Sequence, residues 1–334
     1  MTEFLDTCYE AIKKQEQAIP KTIDNVDETA AVIMREKKRV VLIGCGDSYA
    51  VADYGRWAFL RVGLNVLFVS PDEIDYLHLD KDSAVIGITA SGRSLATIEA
   101  LKKAKSQGAT VIVLTDNKKG DASQEADYVW HTRSDVVTYN TSPSATTTAA
   151  IAYLLVISSQ LNGKSKDGLD HDIERLKSNG KAMITWAEEE GIAISQLTSP
   201  NVPIYLISEG PNYVAAQIGM MKFNEYSILK GFAAIREDFR HHYNLSINDD
   251  ESAVLITNSP IDSSDGVYMG VLRNSLKMRM HHLYTDEKLG LGHPLVQVIP
   301  NTIALQLAAY HTVLKFNPEK ESFKLSHAGA FKIY

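Results

Sequence analysis

Three hydroxyl side chains stand in a segment whose pattern suits the binding of a phosphate. An apolar run over residues 84–88 predicts a buried strand, the run breaks at Ser91-Gly92, and apolar residues then recur at helical spacing after Ser94. Such a junction aims free backbone N–H groups and the positive end of a helix dipole at one place. The hydroxyls belong to Thr89, Ser91 and Ser94. The alternative is a plain turn followed by a plain N-cap.

Two further segments repeat this arrangement and favour the phosphate interpretation. A strand predicted over 39–44 runs into Gly44-Cys45-Gly46-Asp47-Ser48, and a helical pattern follows it. The segment 138–146 follows the fifth predicted strand and opens another helix, with Thr141 and Ser142 among its hydroxyls. Hydroxyls therefore follow three predicted strands, each at its carboxyl end.

The elements that position these groups are short strands alternating with helices. Strands are predicted at 39–44, 65–70, 84–88, 110–115 and 128–132. This alternation is typical of an α/β fold with a doubly wound parallel sheet, in which ligands bind beyond the carboxyl ends of the strands. A dinucleotide fold is the rival, because Gly44-x-Gly46 begins its fingerprint. Tyr49 stands at the third glycine, however, and the second strand ends in Val69-Ser70-Pro71 instead of an acid.

Composition excludes several classes of function. The chain has 334 residues and 45% apolar residues, enough for two packed domains. We expect a cytoplasmic protein, because no apolar run approaches a membrane span and the start lacks the order of a signal peptide. A net charge of −7 without a Lys/Arg cluster argues against nucleic acid. The two cysteines, Cys8 and Cys45, are interpreted as incidental, and no metal-ligand spacing is present.

A polar, glycine-bearing segment at residues 161–168 predicts a boundary between a domain over 1–165 and a domain over 166–334. The second part repeats the first, because the segment 42–52 is echoed 164 residues later at 206–216. We therefore expect two tandem domains of one fold. At the phosphate turn the second copy has Pro260, which removes a donor N–H, so only the first copy is expected to hold phosphate in this way.

These turns resemble those of the sugar isomerase (SIS) family of phosphosugar proteins. Gly44-Cys45-Gly46-Asp47-Ser48 is similar to the first phosphate-side turn of the family, and Thr89-Ala90-Ser91-Gly92-Arg93-Ser94 is similar to its S-x-S-G-[ED]-[ST] turn. The resemblance implies two flavodoxin-like domains, no cofactor, and a hexose 6-phosphate bound by residues of the three turns: Gly46, Asp47, Ser48, Thr89, Ser91, Gly92, Ser94, Thr141 and Ser142. Arg93 replaces the usual acid, and its guanidinium is a further candidate for the phosphate.

The same resemblance implies a catalytic pair in the second half. Members such as the isomerase half of glucosamine-6-phosphate synthase have a glutamate followed by a histidine sixteen residues on, and Glu225 and His241 have this spacing. Such a pair suits proton transfer between C1 and C2 of an open-chain sugar. His242 stands where the family has glycine, so either histidine is a candidate for the acid. In relatives the histidine comes from the partner subunit, which implies a homodimer or higher homo-oligomer with shared active sites.

The sequence features that distinguish one reaction from another are short segments. Asn212-Tyr213, Phe239-Arg240-His241 and the C-terminal ending resemble the fructoselysine-6-phosphate deglycases, which split a ketosamine 6-phosphate. Synthase and deaminase relatives carry a lysine near the C-terminus, where this chain has Leu325-Ser326-His327-Ala328. Deglycation is the favoured hypothesis, and His327 is a further candidate residue. The alternatives are an aldose–ketose phosphosugar isomerase, a glucosamine-6-phosphate deaminase and a phosphosugar sensor that has no use for Glu225 and His241.

Overall fold

The computed structural model describes residues 2–136, 142, 144–163, 167–322 and 328–333. They form two compact units, which we call the first-sheet unit and the second-sheet unit. The first-sheet unit comprises Gln17–Lys166 and Lys324–Tyr334, and the second-sheet unit comprises Met1–Glu16 and Asp167–Phe323. The division into domains over 1–165 and 166–334 stays a prediction.

The first helix shows why the N-terminal end joins the second-sheet unit. Helix α1, Glu3–Lys13, buries Leu5, Cys8, Ala11 and Ile12 along one face. Tyr9 stacks on Tyr310 with ring centroids 5.0 Å apart. Burial of an apolar helix face is the main favourable term in such packing, so the partner of this face decides where the segment belongs.

The first-sheet unit has five parallel strands in the order β2-β1-β3-β4-β5. They are β1 Arg39–Ile43, β2 Val66–Val69, β3 Ser83–Ile88, β4 Thr110–Thr115 and β5 Tyr128–His131. The order reverses between β1 and β3, and the crevice at such a reversal is where doubly wound sheets bind ligands. The predicted α/β class and the predicted parallel sheet are confirmed, and the two turns richest in candidate residues follow β1 and β3.

Helices cover both faces of this sheet. They are α2 Gln15–Ile23, which begins in the other unit, α3 Ala30–Arg35, α4 Asp47–Leu60, α5 Leu95–Ser106, α6 Ala122–Glu125 and α7 Ala145–Asn162. One face packs Val41, Val85 and Val111 against Ile98 and Leu101 of α5. On the other face α4 approaches β1 so closely that a Cβ on Gly55 would lie 2.5 Å from Leu42 Cδ2. The sheet and its helices therefore fix the starts of α4 and α5.

The second-sheet unit has four parallel strands in the order β7-β6-β8-β9, which matches the first four strands of the other sheet. The strands are β6 Ile204–Ser208, β7 Gly231–Ile235, β8 Ser252–Ile256 and β9 Arg279–Leu283. The helices are α8 Leu169–Ser178, α9 Gly180–Leu197, α10 Tyr213–Tyr226, α11 Arg236–His241, α12 Ser263–Gly270, α13 Asp286–Leu289 and α14 Pro294–Phe316.

The chain turns at Asn179 between α8 and α9. Gly180 allows this turn to lie against the N-terminal segment, since a Cβ there would come within 2.7 Å of the Glu16 carbonyl oxygen. Within the described residues, none of the helices combines the length and the apolar character that a membrane span requires.

Candidate functional site

The turn after β3 presents its hydroxyls at the start of α5. Thr89 is buried, and Ser91 Oγ accepts a hydrogen bond from the Arg93 N–H at 3.2 Å. Gly92 has φ +69°, a conformation that a residue with a Cβ adopts at a cost. The Arg93 side chain is exposed. The predicted strand, turn and helix start are all present, and they place these hydroxyls at the positive end of a helix of twelve residues.

Ser94 is the N-cap residue of α5, but its side chain makes no capping bond. Its hydroxyl instead donates to Cys45 Sγ at 3.6 Å and accepts from Thr97 Oγ1 at 3.1 Å. The interpretation of Ser94 as only a helix cap is therefore not supported. Cys45 is an exposed free thiol, and its contact with Ser94 links the turn after β1 to the turn after β3.

The turn after β1 brings in the start of α4. Gly46 has φ +57°, and a Cβ on Gly44 would lie 2.5 Å from the Ser48 carbonyl oxygen, so both glycines are required by the backbone. Asp47 is the first residue of α4, and its Oδ2 accepts a hydrogen bond from Thr147 Oγ1 at 2.9 Å. Burial is the main cause that raises the pKa of Tyr49, the residue after Ser48.

The start of α7 adds buried hydroxyls. Ser142, Ser144, Thr146 and Thr147 are each at most 5% exposed. Ser144 Oγ and Thr146 Oγ1 have no hydrogen-bond partner within the described part of the chain. Buried hydroxyls normally find partners, so these two atoms suit a polar ligand. The predicted site residue Thr141 lies outside the described residues, as does His327.

The matching edge of the second sheet is built differently. Asn212, which stands at the position of Ser48, donates to Asn258 Oδ1 at 3.0 Å and to Gln297 Oε1 at 3.1 Å. Asn301 donates to Asn212 Oδ1 at 2.9 Å, and Asn258 donates to the Glu209 carbonyl at 3.1 Å. Amide side chains bonded to one another occupy the turns here. This arrangement agrees with the expectation that the second copy does not hold phosphate as the first does.

The candidate base Glu225 lies at the end of α10 and forms an ion pair with a buried lysine. Lys222 Nζ is 3.0 and 3.1 Å from the two carboxylate oxygens, and the side chains of Lys222 and Glu225 are 1% and 24% exposed. Asn224 holds this helix end against β7, because its side chain exchanges two hydrogen bonds with the Gly231 backbone at 3.0 and 3.2 Å. A buried ammonium fixes and polarises the carboxylate beside it.

Lys222 was missed from sequence. The available signal was its place three residues before Glu225, which puts both side chains on one face of a helix. Burial raises the pKa of the neighbouring Tyr226 well above its usual range.

The candidate acids lie on the surface of the second-sheet unit. His241 is 73% exposed, and its Nε2 pairs with Glu237 at 3.1 Å and not with Glu225. His242 is exposed and lies against the Tyr243 ring with centroids 4.4 Å apart. The structure therefore does not bring either histidine to Glu225 within this unit. The described residues contain no group of three or more metal-ligating side chains that could hold an ion.

The hydroxyl turns predict a measurable loss of binding on mutation. If the turn binds phosphate as the sequence predicts, Ser91→Ala and Ser94→Ala each remove one hydroxyl contact to a charged group, a contact of about 1.5–3 kcal/mol. We expect the affinity for a hexose 6-phosphate to fall roughly tenfold or more for each variant. Titration calorimetry measures this change, with Ser106→Ala as the control, because Ser106 ends the same helix and its hydroxyl donates to the Lys103 carbonyl, away from the turn. Wild-type affinity in both variants would place the phosphate elsewhere.

Residues 33–159 match the family model of the SIS domain. The glutamine–fructose-6-phosphate aminotransferase (isomerizing) of Sulfolobus acidocaldarius is 25% identical over 331 residues, covering 93% of this chain and 54% of the relative. The enzyme of that name from Aquifex aeolicus is 26% identical over 270 residues, covering 79% of this chain and 44% of the relative. The chain thus spans about half the length of these curated relatives.

Two solved structures share the fold over nearly the whole chain. Tagatose-6-phosphate ketose/aldose isomerase from Escherichia coli has a TM-score of 0.76 at 17% identity, covering 96% of this chain and 95% of that one. Glucosamine-6-phosphate deaminase from Thermotoga maritima has a TM-score of 0.73 at 12% identity, covering 93% and 95%. The predicted resemblance to the SIS family is confirmed.

Proposed function

We propose that this protein, whose residues 33–159 match the family model of the SIS domain, is an enzyme that binds a phosphorylated sugar at the hydroxyl turns of its first sheet and moves a proton on it with Glu225. The curated relatives and the structural neighbours are named as enzymes of phosphosugars, which supports this class of substrate. The hydroxyls of Ser48, Thr89, Ser91 and Ser94 hold the phosphate. Sugar hydroxyls contact the start of α7, where two buried hydroxyls have no partner among the described residues.

The observation that carries catalysis over plain binding is the ion pair of Glu225 with Lys222, whose side chain is 1% exposed. Holding a buried ammonium against a carboxylate costs desolvation, and a protein that only senses a phosphosugar needs no such pair. In the proposed reaction Glu225 takes the proton from C1 of the open-chain ketosamine, and a proton returns at C2 to leave an imine at C1. Water then hydrolyses this imine, which breaks the C–N bond and releases the free amine and an aldose 6-phosphate. Lys222 orients the carboxylate and offsets negative charge that develops on the adjacent oxygen.

A histidine supplies the acid in this proposal. His241 is 73% exposed on its own chain, so it is accessible to a second subunit. The shared active site of a homodimer, in which His241 serves the partner, stays a prediction.

The favoured substrate is a ketosamine 6-phosphate, and Asp47 is the residue that favours it. A carboxylate repels phosphate, so Asp47, held by Thr147 at 2.9 Å, suits another part of the ligand. The secondary ammonium of a ketosamine would pair with this carboxylate, whereas a plain ketose offers only hydroxyls. Deglycation is therefore preferred over aldose–ketose isomerisation. Glucosamine 6-phosphate also presents an ammonium, so its deamination is the alternative that the substrate screen must distinguish.

A substrate screen tests this proposal. Hexose 6-phosphates, amino-sugar 6-phosphates and ketosamine 6-phosphates are incubated with the protein in deuterated water, and free amine, ammonia and isomer are measured separately. We expect amine release from a ketosamine phosphate together with deuterium incorporation at C1 or C2. Isomer without amine would assign an isomerase, and ammonia release would assign a deaminase. Binding without any exchange would contradict an enzymatic function.

A further inference from the structure

The loop after β4 lies against the back of the phosphate turn and bonds three of the four carbonyls of residues 89–92. The Thr89 carbonyl accepts from the Gly92 N–H at 3.2 Å. The other three carbonyls accept from the loop: Ala90 from the Asp116 N–H at 3.3 Å, Ser91 from Asn117 Nδ2 at 2.9 Å, and Gly92 from the Ala122 N–H at 2.9 Å. Carbonyl oxygens repel a phosphate. Hydrogen bonds that hold these carbonyls toward the loop therefore leave the hydroxyls as the groups that a ligand meets on the opposite side of the turn.

Asn117 is itself held in place within this loop. Its backbone N–H donates to Thr115 Oγ1 at 3.1 Å, and its Oδ1 accepts from the Lys119 N–H at 3.1 Å. The loop is anchored in turn by Asp116, whose carboxylate accepts from Thr132 Oγ1 and Ser134 Oγ, each at 2.7 Å. These contacts leave the Asn117 amide nitrogen one orientation, toward the Ser91 carbonyl. Among the contacts from the loop to the turn, this bond is the shortest one made by a side chain.

Two glycines allow the loop and the turn to touch. A Cβ on Gly92 would lie 2.8 Å from Gly120 Cα, and a Cβ on Gly120 would lie 2.6 Å from Gly92 Cα. Real Cβ atoms do not approach backbone atoms this closely, so any side chain at Gly120 pushes the loop off the turn. The contact is between backbone atoms. Because no apolar side chains form it, no pattern of apolar residues in the sequence predicts it.

We infer that Asn117 is a positioning residue of the phosphate site: through the Ser91 carbonyl it fixes the turn so that the hydroxyls of Ser91 and Thr89 face the ligand. This inference rests on the proposed function and adds a residue from another strand end to the same site. Asn117 does not touch the ligand. Its loss therefore weakens the binding of the phosphate and leaves the proton transfer at Glu225 unchanged.

The test uses two substitutions of Asn117 and matched substitutions elsewhere. Asn117→Asp keeps the bond from Lys119 but removes the amide donor, and Asn117→Leu removes the donor without adding charge. The controls are Asn25→Asp and Asn25→Leu, because Asn25 Nδ2 makes the same kind of bond, to the Lys21 carbonyl at 2.8 Å, away from the turn. Calorimetry measures Kd for inorganic phosphate and for fructose 6-phosphate. Steady-state kinetics gives KM and kcat for the substrate that the screen shows the protein to convert. NMR follows the chemical shifts of the backbone amides of residues 89–94.

For both Asn117 variants we expect Kd and KM to rise about tenfold, kcat to stay within about twofold of wild type, and the amide signals of the turn to shift. Both Asn25 variants keep wild-type values. Gly120→Ala gives the same pattern independently of side-chain charge, and thermal melting confirms that each variant is folded. If the Asn117 variants lost kcat and kept the wild-type Kd for phosphate, the inference would be overturned. The proposed phosphate site would stand in that case, because the wild-type protein would still bind phosphate. Wild-type protein that binds neither probe would overturn the proposed function, and the role of Asn117 with it.

Discussion

Glu225→Gln is expected to lower turnover by about 10² to 10⁴, the loss typical of removing a positioned general base. Glutamine keeps the length and one acceptor oxygen of the side chain, so the affinity for the phosphosugar should persist. Deuterium from solvent should enter C1 or C2 of the substrate with wild-type protein and not with the variant. Calorimetry and proton NMR on the same samples separate binding from proton transfer.

A control variant tests whether removing a carboxylate from an exposed ion pair is by itself enough to lower turnover. Glu189→Gln removes the surface pair of Glu189 with Lys288, in which the two side chains are 58% and 60% exposed. This variant should keep wild-type turnover and stability, because exposed pairs contribute little. If Glu225→Gln turned over substrate at the wild-type rate, Glu225 would not be the base. If wild-type protein bound a hexose 6-phosphate but neither exchanged deuterium nor released amine, the protein would be a binding module.

The parts of the first sheet that could be predicted from sequence are those where one pattern decides the structure. Continuous apolar runs gave the five strands to within a residue or two at each end, and Thr110–Thr115 is identical to the prediction. The turn at Ser91-Gly92 was predictable because glycine and hydroxyl residues follow a strand and precede a helix. The order of the strands was not predicted, since it depends on which crossover goes to which side.

The features missed from sequence all depend on contacts between distant segments. Helix α1 has an amphipathic pattern, but nothing in the pattern names its partner face. Lys222 is a charged residue in a helix, and only the packing of the folded chain shows that its side chain is 1% exposed. Asn117 supports the phosphate turn from the next strand, 26 residues beyond Ser91. The short sequence motifs likewise indicate the binding of a phosphosugar, but they do not distinguish a deglycase from an isomerase or a deaminase.

The pair of Lys222 and Glu225 predicts an unequal cost of removing its two members. In Glu225→Gln the ammonium of Lys222 stays buried beside a neutral amide, and breaking a buried pair in this way costs about 3–5 kcal/mol of unfolding free energy. In Lys222→Met the remaining carboxylate is 24% exposed and partly solvated, so we expect a smaller cost, about 1–2 kcal/mol. Denaturant-induced unfolding of each purified, folded variant measures the two losses of unfolding free energy.

The double variant Lys222→Met/Glu225→Gln separates stability from catalysis. Methionine has a similar volume without the charge, so the double variant should recover at least about 2 kcal/mol relative to Glu225→Gln alone. Turnover should nevertheless stay at the level of Glu225→Gln, because the base is still absent. Recovered turnover in the double variant would show that the single variant had lost activity through its fold. Lys222→Met alone should lower kcat and leave Kd for the phosphosugar unchanged, and a variant with wild-type kcat would remove Lys222 from the mechanism.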